Sequence, residues 1–193
     1  MDNKNVKFKE SRIFQTSFLL VLMGSLCSVV PDGNWTLFSM NMGIAGICSV
    51  VFYLLWRRNR RHSKRYFSLL SYFMLVALAV YFAIPLFRVF IGSFIFWTAL
   101  LVILVMAILP YFYSENIIIG VQNPTKTTLG KIYSITIPLI ILFGTLLFFN
   151  ANLSGNPQAL PISVFLYFGA IFFLFIAPIL LITPERVEEL NRK

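Results

Sequence analysis

The sequence predicts an all-α integral membrane protein, with six transmembrane helices arranged as three hairpins, and three observations support this fold class. Hydrophobic residues make up 59% of the 193-residue chain and charged residues only 12%, which is about half the charged share of a soluble domain. Six apolar segments are long enough to cross a hydrocarbon core of roughly 30 Å. Basic residues occupy alternate connections between these segments. The length fits one helical membrane domain over residues 1–193, without a sizeable soluble domain beside it.

The distribution of basic residues predicts that both termini, the tails 1–12 and 184–193, are cytoplasmic. Arg88 is the only basic residue in a predicted outer connection. The others lie in the tails or in inner connections, and they are Lys4, Lys7, Lys9, Arg12, Arg57, Arg58, Arg60, Arg61, Lys64, Arg65, Lys126, Lys131, Arg186, Arg192 and Lys193. Short loops rich in Lys and Arg stay on the cytoplasmic side. We expect the membrane to be the plasma (cell inner) membrane. The net charge of +9 then serves topology and contact with anionic headgroups, and it does not indicate nucleic-acid binding.

The first predicted hairpin joins spans 13–30 and 35–56 through a short polar turn, 31–34. The apolar run after Phe18 lacks a clean small-x-small cleavage site, so we interpret it as a retained span and not as a signal peptide. Both spans carry small residues at helical spacing, which let membrane helices approach closely. These residues are Gly24, Ser28, Ser39, Gly43 and Gly46. We expect tight packing within this hairpin, and a self-association face is the alternative.

The second predicted hairpin joins spans 67–87 and 89–110. As a single helix, this stretch would be about 66 Å long, roughly twice the hydrocarbon thickness, so the chain must turn back. Pro85 and Arg88 predict the turn, because proline stops a helix and arginine reaches toward the headgroups. Arg88 and Asp32 are the only charged residues predicted on the outer side. An ion pair between them would join two hairpins, and two independently solvated residues are the alternative.

The third predicted hairpin joins spans 132–149 and 161–183. Pro138 and Pro178 fall inside these spans, and we interpret them as kinks; broken helices that line a substrate site are the alternative. The preceding inner connection, 111–131, contains the apolar stretch 117–121, which is too short to cross the membrane. We expect that stretch to lie at the membrane interface or against the helix bundle.

Asn41 is the most polar residue well inside a span. The favoured interpretation is an interhelical hydrogen bond, and a ligand or ion contact is the alternative. The sequence offers no second deep polar group that would complete a site. Cys27 and Cys48 lie at different predicted depths in the membrane, too far apart for a disulfide between them. We interpret both as small buried apolar residues.

The basic connection between the second and third spans is the densest charge run in the chain. Its residues are Arg57, Arg58, Arg60, Arg61, Lys64 and Arg65. We interpret them as topology and lipid-contact residues, with an acidic partner protein as the alternative. The chain has one His, no acid inside a span and no Cys/His pairing at suitable depth. We therefore predict no catalytic residue, no metal and no cofactor, and hence no enzyme.

The segment Met23-Gly24-Ser25-Leu26-Cys27-Ser28-Val29-Val30-Pro31 is a glycine-bearing first helix that ends in proline at the outer turn. A second helix with Gly and Cys, then a short basic loop, follows it. In this architecture the chain resembles the HdeD-like acid-resistance membrane proteins. The resemblance implies a non-enzymatic, stress-related membrane protein, and it supplies no catalytic residues.

These observations favour a non-catalytic membrane protein that acts through helix packing with a partner or with itself, because the polar residues within the spans suit packing better than transport. The alternative is a transport component, either a solute-binding subunit or a small transporter. Its site would be mostly apolar and aromatic. The candidate lining residues are Asn41, Tyr72, Tyr81 and Trp97.

Overall fold

The fold is given by a computed structural model, which describes residues 5–122 and 159–183 and the single positions 131, 142, 186 and 189. Every regular element within these residues is helical, and no strand is present among them. The α-helices are α1 (Ile13–Val29), α2 (Trp35–Asn59), α3 (Ser63–Val89), α4 (Phe94–Phe112), α5 (Ser114–Gln122) and α6 (Ala159–Ile176). A 3-10 helix, Phe8–Glu10, precedes α1, and another, Ala177–Leu181, follows α6.

Five of the described helical segments are long and apolar enough to cross a membrane. They are Phe8–Val29, Trp35–Asn59, Ser63–Val89, Phe94–Phe112 and Ala159–Leu181. The all-α prediction is thus confirmed for the described part of the chain. The predicted span 132–149 and the tail 184–193 lie outside the described residues, apart from single positions. Six spans and cytoplasmic termini therefore stay predictions.

Two of the spans begin at a side chain that caps the helix. Asn34 Oδ1 accepts a hydrogen bond from the main-chain N–H of Leu37 at 3.0 Å, and Ser93 Oγ accepts one from Phe96 at 3.4 Å. Such side chains satisfy N–H groups that have no partner in the first turn of a helix. The short polar connections therefore fix where α2 and α4 start.

The predicted turn at Pro85–Arg88 is wrong. α3 continues through both residues to Val89, and the chain turns afterwards, with Gly92 at φ +77°. A proline removes one helical hydrogen bond but is tolerated in membrane helices. Glycine adopts positive φ without a steric penalty, so Gly92 is the better turn residue, and α4 starts at Phe94.

α3 is the central helix of the described bundle, in contact with α1, α2 and α6. On one side, Tyr66, Leu70 and Tyr81 of α3 form a buried cluster with Leu20 of α1 and Phe52 of α2. Tyr66, Tyr81, Leu20 and Phe52 are completely buried. The first hairpin is therefore packed directly onto α3.

On its other side, α3 packs extensively against α6 and much less against α4. Ala79 and Ala83 of α3 form a second buried cluster with Ala99 of α4 and with Tyr167 and Ala170 of α6. The alanines allow the helices to approach closely. α3 and α4 are consecutive, as predicted, but α3 has its main interface with α6. A short turn makes two helices neighbours in the sequence, and it does not determine which of their faces pack.

The connection after α4 and the end of α6 meet at one end of the bundle. Ile117 and Ile118 of α5 are buried, and α5 packs against the 3-10 helix Ala177–Leu181. The prediction that this short apolar stretch lies against the bundle is confirmed. Pro178 lies within the 3-10 helix and coincides with the end of α6, so it ends the α-helix and does not kink its middle. Pro138 lies outside the described residues.

Candidate functional site

Asn41 lies at the centre of a buried polar cluster between α1 and α2. Its side chain is completely buried. The amide nitrogen donates hydrogen bonds to the Gly24 carbonyl oxygen at 3.0 Å and to Ser28 Oγ at 2.9 Å. Ser28 Oγ donates to the same Gly24 carbonyl at 2.6 Å. The interhelical hydrogen bond expected from the sequence is present.

A third helix joins the same cluster through Tyr81. Its hydroxyl donates to the main-chain oxygen of Asn41 at 2.9 Å, and its side chain is completely buried. The expectation that Asn41 has no deep polar companion is therefore wrong, since Ser28 and Tyr81 both contact it. The sequence predicts Ser28 only as a small packing residue and Tyr81 only as a candidate lining residue, and no spacing pattern indicates their hydrogen bonds with Asn41.

The Asn41 side-chain oxygen has no hydrogen-bond partner among the residues that the structure describes. An unsatisfied buried acceptor costs about 1–3 kcal/mol. No charged side chain takes part in the hydrogen bonds of this amide. Within the described residues, no group of three His, Cys, Asp or Glu side chains could hold a metal ion. The chemistry of the cluster therefore suits a cross-link between helices.

Arg88 joins the end of α3 to the turn between α1 and α2. One guanidinium nitrogen donates to the carbonyl oxygens of Val30 at 2.7 Å and Ser28 at 3.4 Å, and the other donates to that of Asp32 at 2.8 Å. The Val30–Pro31 peptide bond in this turn is cis. The hairpins are in contact here through main-chain carbonyls, so Asp32 and Arg88 form neither the ion pair nor the two independently solvated residues that the sequence left as alternatives. Carbonyls past the end of a helix lack helical partners, and the fork of arginine suits several acceptors.

We expect Arg88→Lys to lower the free energy of unfolding by about 1–2 kcal/mol, because an ammonium group cannot reach all three carbonyls and the site is partly exposed. Equilibrium unfolding by SDS in mixed micelles measures the change. Asp32→Asn is the matched control, since it keeps the main-chain oxygen, and it should change stability by less than about 0.5 kcal/mol. An equal loss in both variants would show that an Asp32–Arg88 ion pair dominates.

The small residues predicted to pack the first hairpin fall into two groups. Gly24 is in close contact, because a Cβ atom there would lie 3.2 Å from Asn41 Cβ and 3.3 Å from Tyr81 Cζ. Ser28 is buried beside it. In contrast, Ser39, Gly43 and Gly46 are exposed on α2, and a Cβ at either glycine would meet no atom of the described residues within 4 Å. For these three residues the prediction of packing within the hairpin is wrong, because they lie on the outer face of α2.

The four candidate lining residues of a transport site do not converge. Asn41 and Tyr81 are in contact. Tyr72 instead shares a hydrogen bond of 2.6 Å with the hydroxyl of Tyr111 in an exposed position. Trp97 on α4 is 63% exposed. The structure therefore assembles half of the predicted lining and leaves the rest on the outside of the bundle.

The predicted basic loop is exposed at the end of the bundle where α2 ends and α3 begins, except for Arg65, which is half-buried. Arg65 Nη1 donates to the Leu181 carbonyl at 2.7 Å, and Ser68 Oγ donates to that of Leu180. Arg65 therefore connects α3 to the 3-10 helix after α6. The sequence predicts Arg65 only as a topology and lipid-contact residue, and it does not predict this contact between helices.

An exposed ion pair connects α5 to the C-terminal region. Arg186 contacts the carboxylate of Glu115 at 2.8 Å and that of Glu189 at 2.9 Å. The hydrogen bonds that Arg186 donates to Glu115, and then that to Glu189, raise the pKa of the Arg186 side chain above its usual value. The guanidinium therefore stays charged, and the contact is a surface pair of the kind that contributes little to stability.

No family model matches the chain, and neither a curated protein nor a solved structure matches it.

Proposed function

We propose that this protein is a non-catalytic, polytopic membrane protein that acts by packing the outer face of α2 against a helix of another polypeptide, either a partner or a second copy. The observation that carries the proposal is the exposure of Ser39, Gly43 and Gly46 on one face of a membrane helix. A plasma-membrane location with cytoplasmic termini belongs to the same proposal. So does the stress-related role that the HdeD-like resemblance implies.

Glycine inside a helix is destabilising by roughly 0.5–1 kcal/mol relative to alanine. At Gly24 close packing within the chain compensates, because Asn41 and Tyr81 occupy the space that a side chain would need. Among the described residues, Gly43 and Gly46 have no such neighbour within 4 Å. A helix from a second polypeptide could approach this face closely, which is the usual contribution of small residues in membranes.

Large side chains border the small residues of α2. Met40 is 52% exposed, Ile47 67% and Val50 60%. A row of small residues beside a ridge of large ones gives a surface into which a second helix can pack. The exposed face of α2 therefore has the shape of an interface as well as the composition of one.

A transport component is the second candidate function, and the unpartnered oxygen of Asn41 favours it. A solute that donates a hydrogen bond could use this acceptor. Asn41→Leu separates the two functions. A transport site predicts that this variant loses solute binding and keeps its assembly. Helix packing through α2 predicts that Gly43→Ile disrupts assembly whether or not Asn41 is intact. The other polar groups of the cluster already bond to one another, which supports packing.

The test is native mass spectrometry of the protein released gently from its own membrane. For the wild-type chain we expect a multiple of 22.1 kDa or a co-purifying polypeptide. Gly43→Ile should give the 22.1 kDa monomer alone, because its side chain blocks close approach. Leu104→Phe adds bulk to an exposed position of α4 and should leave the assembly intact. A wild-type monomer, or an assembly that survives Gly43→Ile, would contradict the proposal.

A further inference from the structure

We propose that the segment before α1 and the α2–α3 connection form one preassembled surface that binds anionic phospholipid headgroups, with Phe8 at the membrane interface. We call this surface the basic platform. It consists of Lys7, Lys9, Arg12, Arg57, Arg58, Arg60, Arg61 and Lys64, all of which are exposed. The proposal is independent of the α2 packing face, which lies further along the span.

The N-terminal segment is held against the α2–α3 connection by main-chain hydrogen bonds of Val6, which is only 4% exposed. Its N–H donates to the Arg60 carbonyl at 2.8 Å, and its carbonyl accepts from Trp56 Nε1 at 3.0 Å. Because both groups of one residue are bonded, the position of the segment is fixed. Lys7 and Lys9 therefore lie beside the basic connection.

A second anchor lies at the other end of the segment. The Tyr66 hydroxyl donates to the Ser11 carbonyl at 2.7 Å, and both residues are buried. The adjacent Arg12 guanidinium lies 5.6 Å from the centre of the Phe67 ring, within the range of a cation–π contact. Arg12 is therefore held against the start of α3, the helix that also carries Lys64.

The positive charges of the platform are not neutralised by ion pairs among the described residues. The ion pairs among the described residues join Arg186 to Glu115 and Glu189, outside the platform. Between Asn5 and Arg65, Glu10 is the one acidic residue at this end of the bundle. Holding like charges together is unfavourable without counterions. Anionic headgroups, which attract Lys and Arg near a membrane surface, provide that compensation.

The exposed side chain of Phe8 favours a lipid surface over an acidic soluble protein as the occupant of the basic platform. It lies between Lys7 and Lys9, is 57% exposed, and packs edge-on against Trp56 with ring centroids 5.2 Å apart. Phe14 in the first turn of α1 is 81% exposed. Aromatic side chains next to cations suit the interface of a bilayer, where phosphate and acyl groups are both within reach. The occupant that fits charge and apolar surface together is an anionic phospholipid.

The experiment uses the full chain in nanodiscs of phosphatidylcholine with a minor fraction of phosphatidylglycerol, followed by native mass spectrometry of the lipids retained. Trp56→Phe with Tyr66→Phe removes both side-chain hydrogen bonds that anchor the segment, without changing charge and with an aromatic ring kept at each position. We expect phosphatidylglycerol affinity to fall about tenfold, because three cations leave the platform. Phosphatidylcholine retention should stay the same.

A second variant, Lys7→Gln with Lys9→Gln and Arg12→Gln, changes only exposed side chains and should lose phosphatidylglycerol to a similar extent. Lys131→Gln with Arg186→Gln is the control for loss of charge elsewhere, and it removes two positive charges where the first charge variant removes three. Wild-type retention in the anchor variant, with equal losses in the two charge variants, would overturn a preassembled surface. Capture of an acidic protein that depends on these cations, with phosphatidylglycerol retention unchanged, would overturn the lipid assignment.

Discussion

Tyr81→Ala is expected to lower the free energy of unfolding by about 3 kcal/mol. The ring is completely buried between α1, α2 and α3, so its removal leaves a cavity and also withdraws the hydroxyl from the Asn41 carbonyl. Aromatic-to-alanine changes cost about 3–5 kcal/mol in soluble cores. The lower end applies here, because membrane helices are held by packing and not by transfer of apolar surface from water. Equilibrium unfolding by SDS in mixed micelles measures the difference.

Tyr81→Phe is the control for this cavity. It keeps the ring and loses one interhelical hydrogen bond, so the expected loss is only about 0.6 kcal/mol and at most about 1.7 kcal/mol. If the phenylalanine variant lost as much stability as the alanine variant, the hydrogen bond to Asn41 would dominate. The packing of α3 against the first hairpin would then be a minor contribution.

Gly24→Val is expected to lower the free energy of unfolding by about 2–3 kcal/mol, since overfilled contacts in packed structures cost about 1–3 kcal/mol. A Cβ alone would lie 3.2 Å from Asn41 Cβ, 3.3 Å from Tyr81 Cζ and 3.4 Å from Met42 Cε. The two further methyl groups of valine would push α1 away from α2 and α3. The measurement is the same SDS unfolding transition, followed for the single chain.

Gly43→Val is the matched control, because it makes the same change on the neighbouring helix where nothing lies within 4 Å. Its single-chain stability should stay within about 0.5 kcal/mol of wild type. Equal losses at the two glycines would contradict the assignment of Gly24 to the fold and of Gly43 to an exposed face. Unequal losses would separate residues that hold this chain together from residues available to another.

Much of the chain's course follows from its sequence. The length and composition of the apolar segments predict helices that cross a bilayer, and helical spans 13–30 and 35–56 are observed with small shifts as α1 and α2. Neither Asn34 nor Ser93 is predicted as a cap, although both side chains can accept from first-turn N–H groups, and the structure shows both caps. The predicted turn at Pro85–Arg88 is wrong because proline is tolerated inside a membrane helix, and the chain turns at Gly92 instead.

Only the tertiary structure decided which face of each helix is buried. In a soluble protein, apolar residues that recur with the helical period mark the inner face of a helix. A bilayer gives no such contrast, because it is as apolar as the interior of the bundle. The sequence therefore treats Gly24 and Gly43 alike, although the first packs and the second is exposed. It also identifies Asn41, Ser28 and Tyr81 without the hydrogen bonds that join them, and Arg88 without its carbonyl acceptors, because these partners lie far away in the chain. Hydrophobic length determined the spans, whereas contacts between distant small and polar residues determined how the spans pack.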